Sequence, residues 1–180
     1  MASNLNPHAI VRFSLLFCAA PLVALVSCAG YQLGGVKPEA LRSIQAVAVP
    51  MFGNDTLHPR AEALATSAVA NALVQDGTYQ IQKVDAADAV LEGSVQSIEY
   101  STIRGSRFDT LLPEELANTV VLRWKLRDAR DPTRILASGE SSGSSQLFVS
   151  SNLQTARNNA LPEALDHAAE ALVSRLANGY

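Results

Sequence analysis

The chain has 180 residues, 48% of them hydrophobic and 17% charged, with a formal net charge of −3. That is one domain's worth of chain, long enough to bury a sizeable core, and its mild, mixed charge leaves no basic footprint for nucleic acid. Two cysteines and three histidines are too few and too scattered for a disulfide framework or a cysteine- or histidine-ligated metal centre, so no metal or dissociable cofactor is expected.

The first informative element is the start. Arg12 precedes an uncharged apolar run, residues 13–26, holding Leu15, Leu16, Phe17, Leu22, Val23 and Leu25. A basic start, a short apolar stretch and small residues at its end are the marks of a secretory signal peptide. The run is shorter than the roughly 20 residues that span a bilayer, and Pro21 interrupts it, so a transmembrane helix is not expected. Its ending, Leu25-Val26-Ser27-Cys28, resembles the lipobox of bacterial lipoproteins. The resemblance implies cleavage before Cys28, a diacylglycerol on its sulfur and an acyl chain on the new amino terminus. Three acyl chains make such an anchor effectively permanent. Ala29 in place of an aspartate favours the outer membrane, periplasmic face. Residues 1–27 are thus expected to be a cleaved signal peptide and 28–43 a lipidated tether with one aromatic plug, Tyr31. Cys18 leaves with the leader and Cys28 becomes a thioether, so the folded part keeps no free thiol.

Residues 44–49 form a short apolar run ended by Pro50, which suits a buried strand. Turn formers follow over 51–58, and Pro59 is expected to open a helix. In that helix Ala61, Leu64, Ala65, Ala68, Val69, Ala72 and Leu73 keep helical spacing, and Gly77 suits a left-handed cap. The alanines allow close approach to a sheet. Residues 78–84 read as a strand with Tyr79 and Ile81 on one face. A longer strand over 89–102 changes phase: Leu91, Gly93 and Val95 share one parity, Ile98 and Tyr100 the other. A bulge near Gln96 and Ser97 would bring both sets to the core. In the strand over 115–128, Val120, Leu122, Trp124 and Leu126 alternate with Val121, Arg123, Lys125 and Arg127, one face covered and one open. Residues 135–148 give another strand, unusually small and polar over 139–145. The last helix buries Leu161, Leu165, Ala168, Leu172 and Leu176. Pro162 either starts it or kinks it, since 152–159 also reads as helix, and Gly179 caps it. Strand, helix, three or four consecutive strands, helix describes an α+β two-layer sandwich: two helices on one face of a mostly antiparallel, four- to five-stranded sheet.

Several segments together resemble a family. They are Gly30-Tyr31-Gln32-Leu33 after the cysteine, Val47-Ala48-Val49-Pro50-Met51-Phe52-Gly53-Asn54-Asp55-Thr56, Pro59-Arg60-Ala61-Glu62, Asp76-Gly77-Thr78-Tyr79, and Ala87-Asp88-Ala89-Val90-Leu91-Glu92-Gly93. These look like the LptE-type lipopolysaccharide-assembly lipoproteins. The resemblance implies an LptE-like domain over 44–180, partnered by a large outer-membrane β-barrel of the LptD type, which it plugs and helps to assemble while lipopolysaccharide passes to the outer leaflet. Similar pieces occur in lipoproteins that activate peptidoglycan synthases, which is the alternative reading. A tether of about 15 residues, roughly 50 Å when extended, favours a partner at the membrane.

Three places carry candidate contacts with lipopolysaccharide or the barrel. Arg123 and Lys125, with Arg127, stand on the open strand face, where Arg would pair with phosphate in a forked geometry; a plain solvated face is the other reading. Arg104 and Arg107 stand beside Phe108, Leu111 and Leu112 in 103–113, cations next to apolar groups as an amphiphile needs; a hairpin tip folded onto the core is the other reading. Arg60 starts the first helix, where a cation opposes the dipole that favours anions at that end; it reads as a structural residue, with a loop-facing contact to a partner as the other reading. Gly139-Glu140-Ser141-Ser142-Gly143 matches G-x-S-x-G, with Asp166 and His167 downstream. A nucleophile elbow needs a strand before it and a helix after it, whereas this serine lies inside a strand pattern, so no enzyme is expected. Asn54-Asp55-Thr56 reads as a turn.

Overall fold

The computed structural model describes residues 37–105, 113–148 and 153–179, with the side chains of 104, 105, 113 and 114 outside that set. Cys28, Tyr31, Arg107, Phe108, Leu111 and Leu112 lie outside the described residues. The strands are β1 (Ala46–Ala48), β2 (Gly53–Asn54), β3 (Gln80–Ile81), β4 (Ala89–Gly105), β5 (Pro113–Asp128) and β6 (Ile135–Phe148); the helices are α1 (Ala61–Asp76) and α2 (Leu153–Asn178).

The α+β class holds, but the sheet is mixed and larger than expected. It has six strands in the order β3-β1-β4-β5-β6, with β2 also paired to β4. β1 runs parallel to both β3 and β4, and β2 runs parallel to β4; only β4-β5-β6 is antiparallel. For β1 and β3 the cause is a crossover, because parallel neighbours need a long connection, usually a helix, to bring the chain back to the same end of the sheet. α1 is that crossover between β1 and β3. Both helices lie on one face and share a core with Leu91, Val95, Leu122 and Leu126.

The expected bulge is present. Val95 faces Leu122 and Ser97 faces Val121, leaving Gln96 as the extra residue. Past it, Ile98 packs against the main core and Tyr100 against a second apolar cluster. Gly77 is left-handed at φ 73° and its N–H donates to Leu73 O at 3.1 Å; Gly179, at φ 81°, does the same with Arg175 O at 2.9 Å.

Local expectations fail in three places. α1 begins at Ala61, not at Pro59: Arg60 is its N-cap, in the left-handed region at φ 67°. The turn from loop to helix is made at Arg60, which puts Pro59 outside. Leu64 is 36% exposed at the margin of the buried stripe. The strand over 78–84 shrinks to two residues, and Tyr79 is buried while Ile81 is exposed. Tyr79 lies just before the shortened strand, so the pleat does not set its side, and its buried hydroxyl donates to Leu176 O at 2.8 Å. Residues 37–43 also pack onto the domain: Leu41 is buried, and Lys37 Nζ donates to Ile44 O at 2.8 Å while lying 4.4 Å from the Tyr79 ring centroid.

The small polar middle of β6 has a packing reason. A Cβ on Gly143 would overlap Ala164 O and Ala168 N of α2. Ser145 Oγ donates to Ala160 O at 2.7 Å, and Arg175 and His167 reach Glu140 O and Ser144 O at 2.8 Å. α2 therefore sits tight on β6, and its side chains occupy carbonyls of an edge strand that would otherwise invite pairing. α2 is continuous through Pro162, which is exposed.

Asp88 fastens β1 to β4. Its Oδ2 accepts the Gln45 and Ala46 N–H groups, each at 3.0 Å. Those backbone donors hold its carboxyl below the usual carboxylate range. A depressed folded pKa means the stabilisation is present above the unfolded value and is lost as pH falls through the folded one. Asp88→Asn is therefore expected to cost about 1 kcal/mol at neutral pH. Urea unfolding at pH 7 and again near pH 3 should show that difference shrinking in acid.

Candidate functional site

β5 places Arg123, Lys125 and Arg127 on the face away from the helices because its even-numbered residues are buried against them. In register, Lys125 faces Glu92, and Arg123 lies between Ser94 and Glu140. Arg123 Nε donates to Glu140 Oε1 at 3.1 Å; Arg127 Nε donates to Glu92 Oε2 at 2.7 Å, and a second nitrogen of Arg127 reaches Pro132 O at 2.9 Å. Lys125 is exposed and has no such carboxylate bond among the described residues. A shallow depression of about 200 Å³ lies among Glu92, Ser94, Arg123 and Lys125. The face is thus a polar surface on which Arg123 and Arg127 are charge-paired, while Lys125 has no carboxylate partner among the described residues. Such exposed pairs add little stability, so their effect is to neutralise the guanidinium groups. The alternation showed the cations; Glu92 and Glu140 were missed as partners because they come from other strands.

Arg60 stands apart from that face in sequence and in element. The loop before it is organised by Asn54, whose Oδ1 accepts Thr56 N–H at 3.0 Å and Thr56 Oγ1–H at 2.7 Å. Asn54 Nδ2 donates to His58 O and Glu62 Oε2, both at 2.9 Å. The expected turn is therefore an Asx turn tied to the first turn of α1. It displays Leu57 fully to solvent. Arg104 contributes only its backbone, opposite Glu115 on β5; its side chain, like Arg107 and Phe108, is outside the described residues.

On the helix side a recess of about 380 Å³ is lined by Leu41, Trp124, Leu136 and Ala137, with Arg175 beside them. Ser141 lies mid-strand, buried against the helices, and accepts Trp124 Nε1–H at 3.1 Å. His167 is engaged with Ser144 O instead. The G-x-S-x-G serine is thus a packing residue that satisfies a buried indole. Among the described residues there is no cluster of three metal-ligating side chains, and no helix is long and apolar enough to cross a membrane.

The chain matches the family model of LptE, lipopolysaccharide-assembly, over residues 44–176, and so it belongs to that family. No curated protein matches it. Among solved structures, a Chlamydia trachomatis hypothetical protein is 10% identical, with a TM-score of 0.53 over 74% of this chain and 95% of that one. A Xanthomonas campestris protein of the DUF330 family is 18% identical, with a TM-score of 0.52 over 73% and 82%. A minor lipoprotein from Acinetobacter baumannii is 10% identical, with a TM-score of 0.51 over 73% and 91%. At these identities the likeness is one of fold.

Proposed function

We propose that this protein is lipidated at Cys28, held on the periplasmic face of the outer membrane, and seated within a large LptD-type β-barrel that it helps to assemble for lipopolysaccharide transport. The observation that carries this reading is the family match across almost all of the folded chain. The open sheet face supports it, because a surface of paired charges suits the polar lumen of a barrel. The tether supports it as well. Packing from Lys37 onward leaves eight residues, 29–36, between it and Cys28, a span of at most roughly 30 Å, which keeps the domain near the membrane.

The first test is affinity capture of the tagged lipoprotein from detergent-solubilised outer membranes, with its partner identified by mass. A stable complex with a large barrel is the expected result; a peptidoglycan synthase in its place overturns the reading. Cys28→Ala should release the protein from the membrane fraction, checked by fractionation and blotting. For direct lipopolysaccharide contact, the candidate on the sheet face is Lys125, which no carboxylate holds among the described residues. Lys125→Glu is expected to lower lipopolysaccharide co-purification several-fold, while Arg123→Gln, which removes a guanidinium already engaged by Glu140, leaves it within twofold.

A further inference from the structure

Four features fall at one level of the molecule. First, the buried side chains divide there: the main core ends near Val120 and Ile98, and a second cluster gathers Leu116, Leu147 and Ala160, with Tyr100, Leu153 and Ala156 packed against it. Second, the row between them is polar. Tyr100 pairs with Asn118 and Asn118 with Ser145 across the three long strands. Asn118 is fully buried, yet among the described residues neither its Oδ1 nor its Nδ2 has a partner, and the buried Tyr100 Oη and Arg157 Nε have none either. The Arg157 guanidinium lies 4.6 Å from the Tyr100 ring centroid, so the cation joins the same row. Third, Pro162 stands inside α2 one turn from Asn158, and it has no N–H to give that carbonyl. Fourth, strand cover on the outer side of β4 stops at Asn54, opposite Val95, next to the Gln96 bulge.

Each feature weakens the connection at the same place. Unpaired buried polar groups cost free energy in the closed state and recover it when water reaches them. A proline lowers the cost of parting the helix there, and a bulged strand with no outer neighbour among the described residues bends readily. Below this level α2 is held hard: Gly143 lets Ala164 and Ala168 sit on β6, and His167 and Arg175 bind its carbonyls.

The geometry points to a hinge. The distal lobe, comprising 100–104, 115–118, 145–148 and 153–160, unpacks as one cooperative unit beyond the Tyr100–Asn118–Ser145 row, while 120–126 and 161–177 stay closed. Opening brings Leu116, Leu147 and Leu153 to solvent beside the Arg157 guanidinium, so the apolar surface of the lobe is available only in the open state. The hinge is independent of which partner the protein has.

Hydrogen–deuterium exchange on the full chain, read by mass spectrometry, tests it. Distal segments should exchange together, about 100-fold faster than 120–126 and 164–176, as a sub-global opening requires. Asn118→Leu replaces the unpaired amide with an apolar group, and Pro162→Ala restores the helix bond. Each should slow distal exchange by about tenfold and proximal exchange by less than twofold. Equal protection of both regions in the natural protein overturns the hinge. So does a variant that slows both regions equally, because that is global stabilisation.

Discussion

Gly143→Val is expected to destabilise the domain by about 3 kcal/mol or more, and to lower Tm by on the order of 10 °C. The cause is backbone against backbone. A Cβ at 143 meets Ala164 O, Ala168 N and His167 C, none of which can rotate away. α2 would have to lift from β6. That would stretch the Ser145–Ala160 bond and withdraw His167 and Arg175 from the strand carbonyls they hold. Thermal and urea unfolding followed by far-UV circular dichroism measure the effect. Glu140→Ala, one residue beyond Gly139 on the open face, should change stability by less than about 1 kcal/mol, since it removes only an exposed pair. A Gly143→Val protein as stable as the natural one would mean that the close approach is not required.

Trp124→Ala should cost about 3–5 kcal/mol. Trp124 is 4% exposed in the centre of β5, its ring lies against Gly139, and its indole N–H is satisfied by Ser141 Oγ. Truncation removes the apolar area and also leaves the Ser141 hydroxyl buried without that bond. Trp124→Phe separates the two contributions: most of the area stays, and the remaining loss, about 1–2 kcal/mol, reports the hydrogen bond and the ring volume. Pairing Trp124→Phe with Ser141→Ala should recover part of that loss, because removing both partners strands neither. This is the only tryptophan in the chain, so circular dichroism replaces fluorescence as the probe.

The second result bears on how the G-x-S-x-G string is understood. The residues spell a hydrolase motif, but Ser141 is placed by strand alternation to face the helices, and the indole beside it takes its oxygen. The surrounding glycines have the same origin. Gly139 makes room for the Trp124 ring and Gly143 for the α2 backbone. A run of small residues in a strand can mean a close neighbour as readily as a catalytic turn.

Where structure follows from the nearest residues, it can be read along the chain. The β5 alternation, the phase change that becomes the Gln96 bulge, the left-handed Gly77 and Gly179, the Asn54 turn and the apolar stripe of α2 all obey rules a few residues long. The family resemblance rests on strings of the same length. Other features depend on residues far apart in sequence. Leu91, Val47 and Trp124 are core residues at positions about 35 to 80 apart, and no local period says which strands will be neighbours. For that reason the parallel pairings of β1 and β2, and the sixth strand, were not foreseen. Likewise β5 displays its cations openly in the sequence, while Glu92 and Glu140, which neutralise Arg127 and Arg123, become neighbours only when β4 and β6 flank it. The polar row through Asn118 has the same character. Burial turns an ordinary strand asparagine into an unpaired amide, and burial is a property of the folded sheet and the helix laid over it.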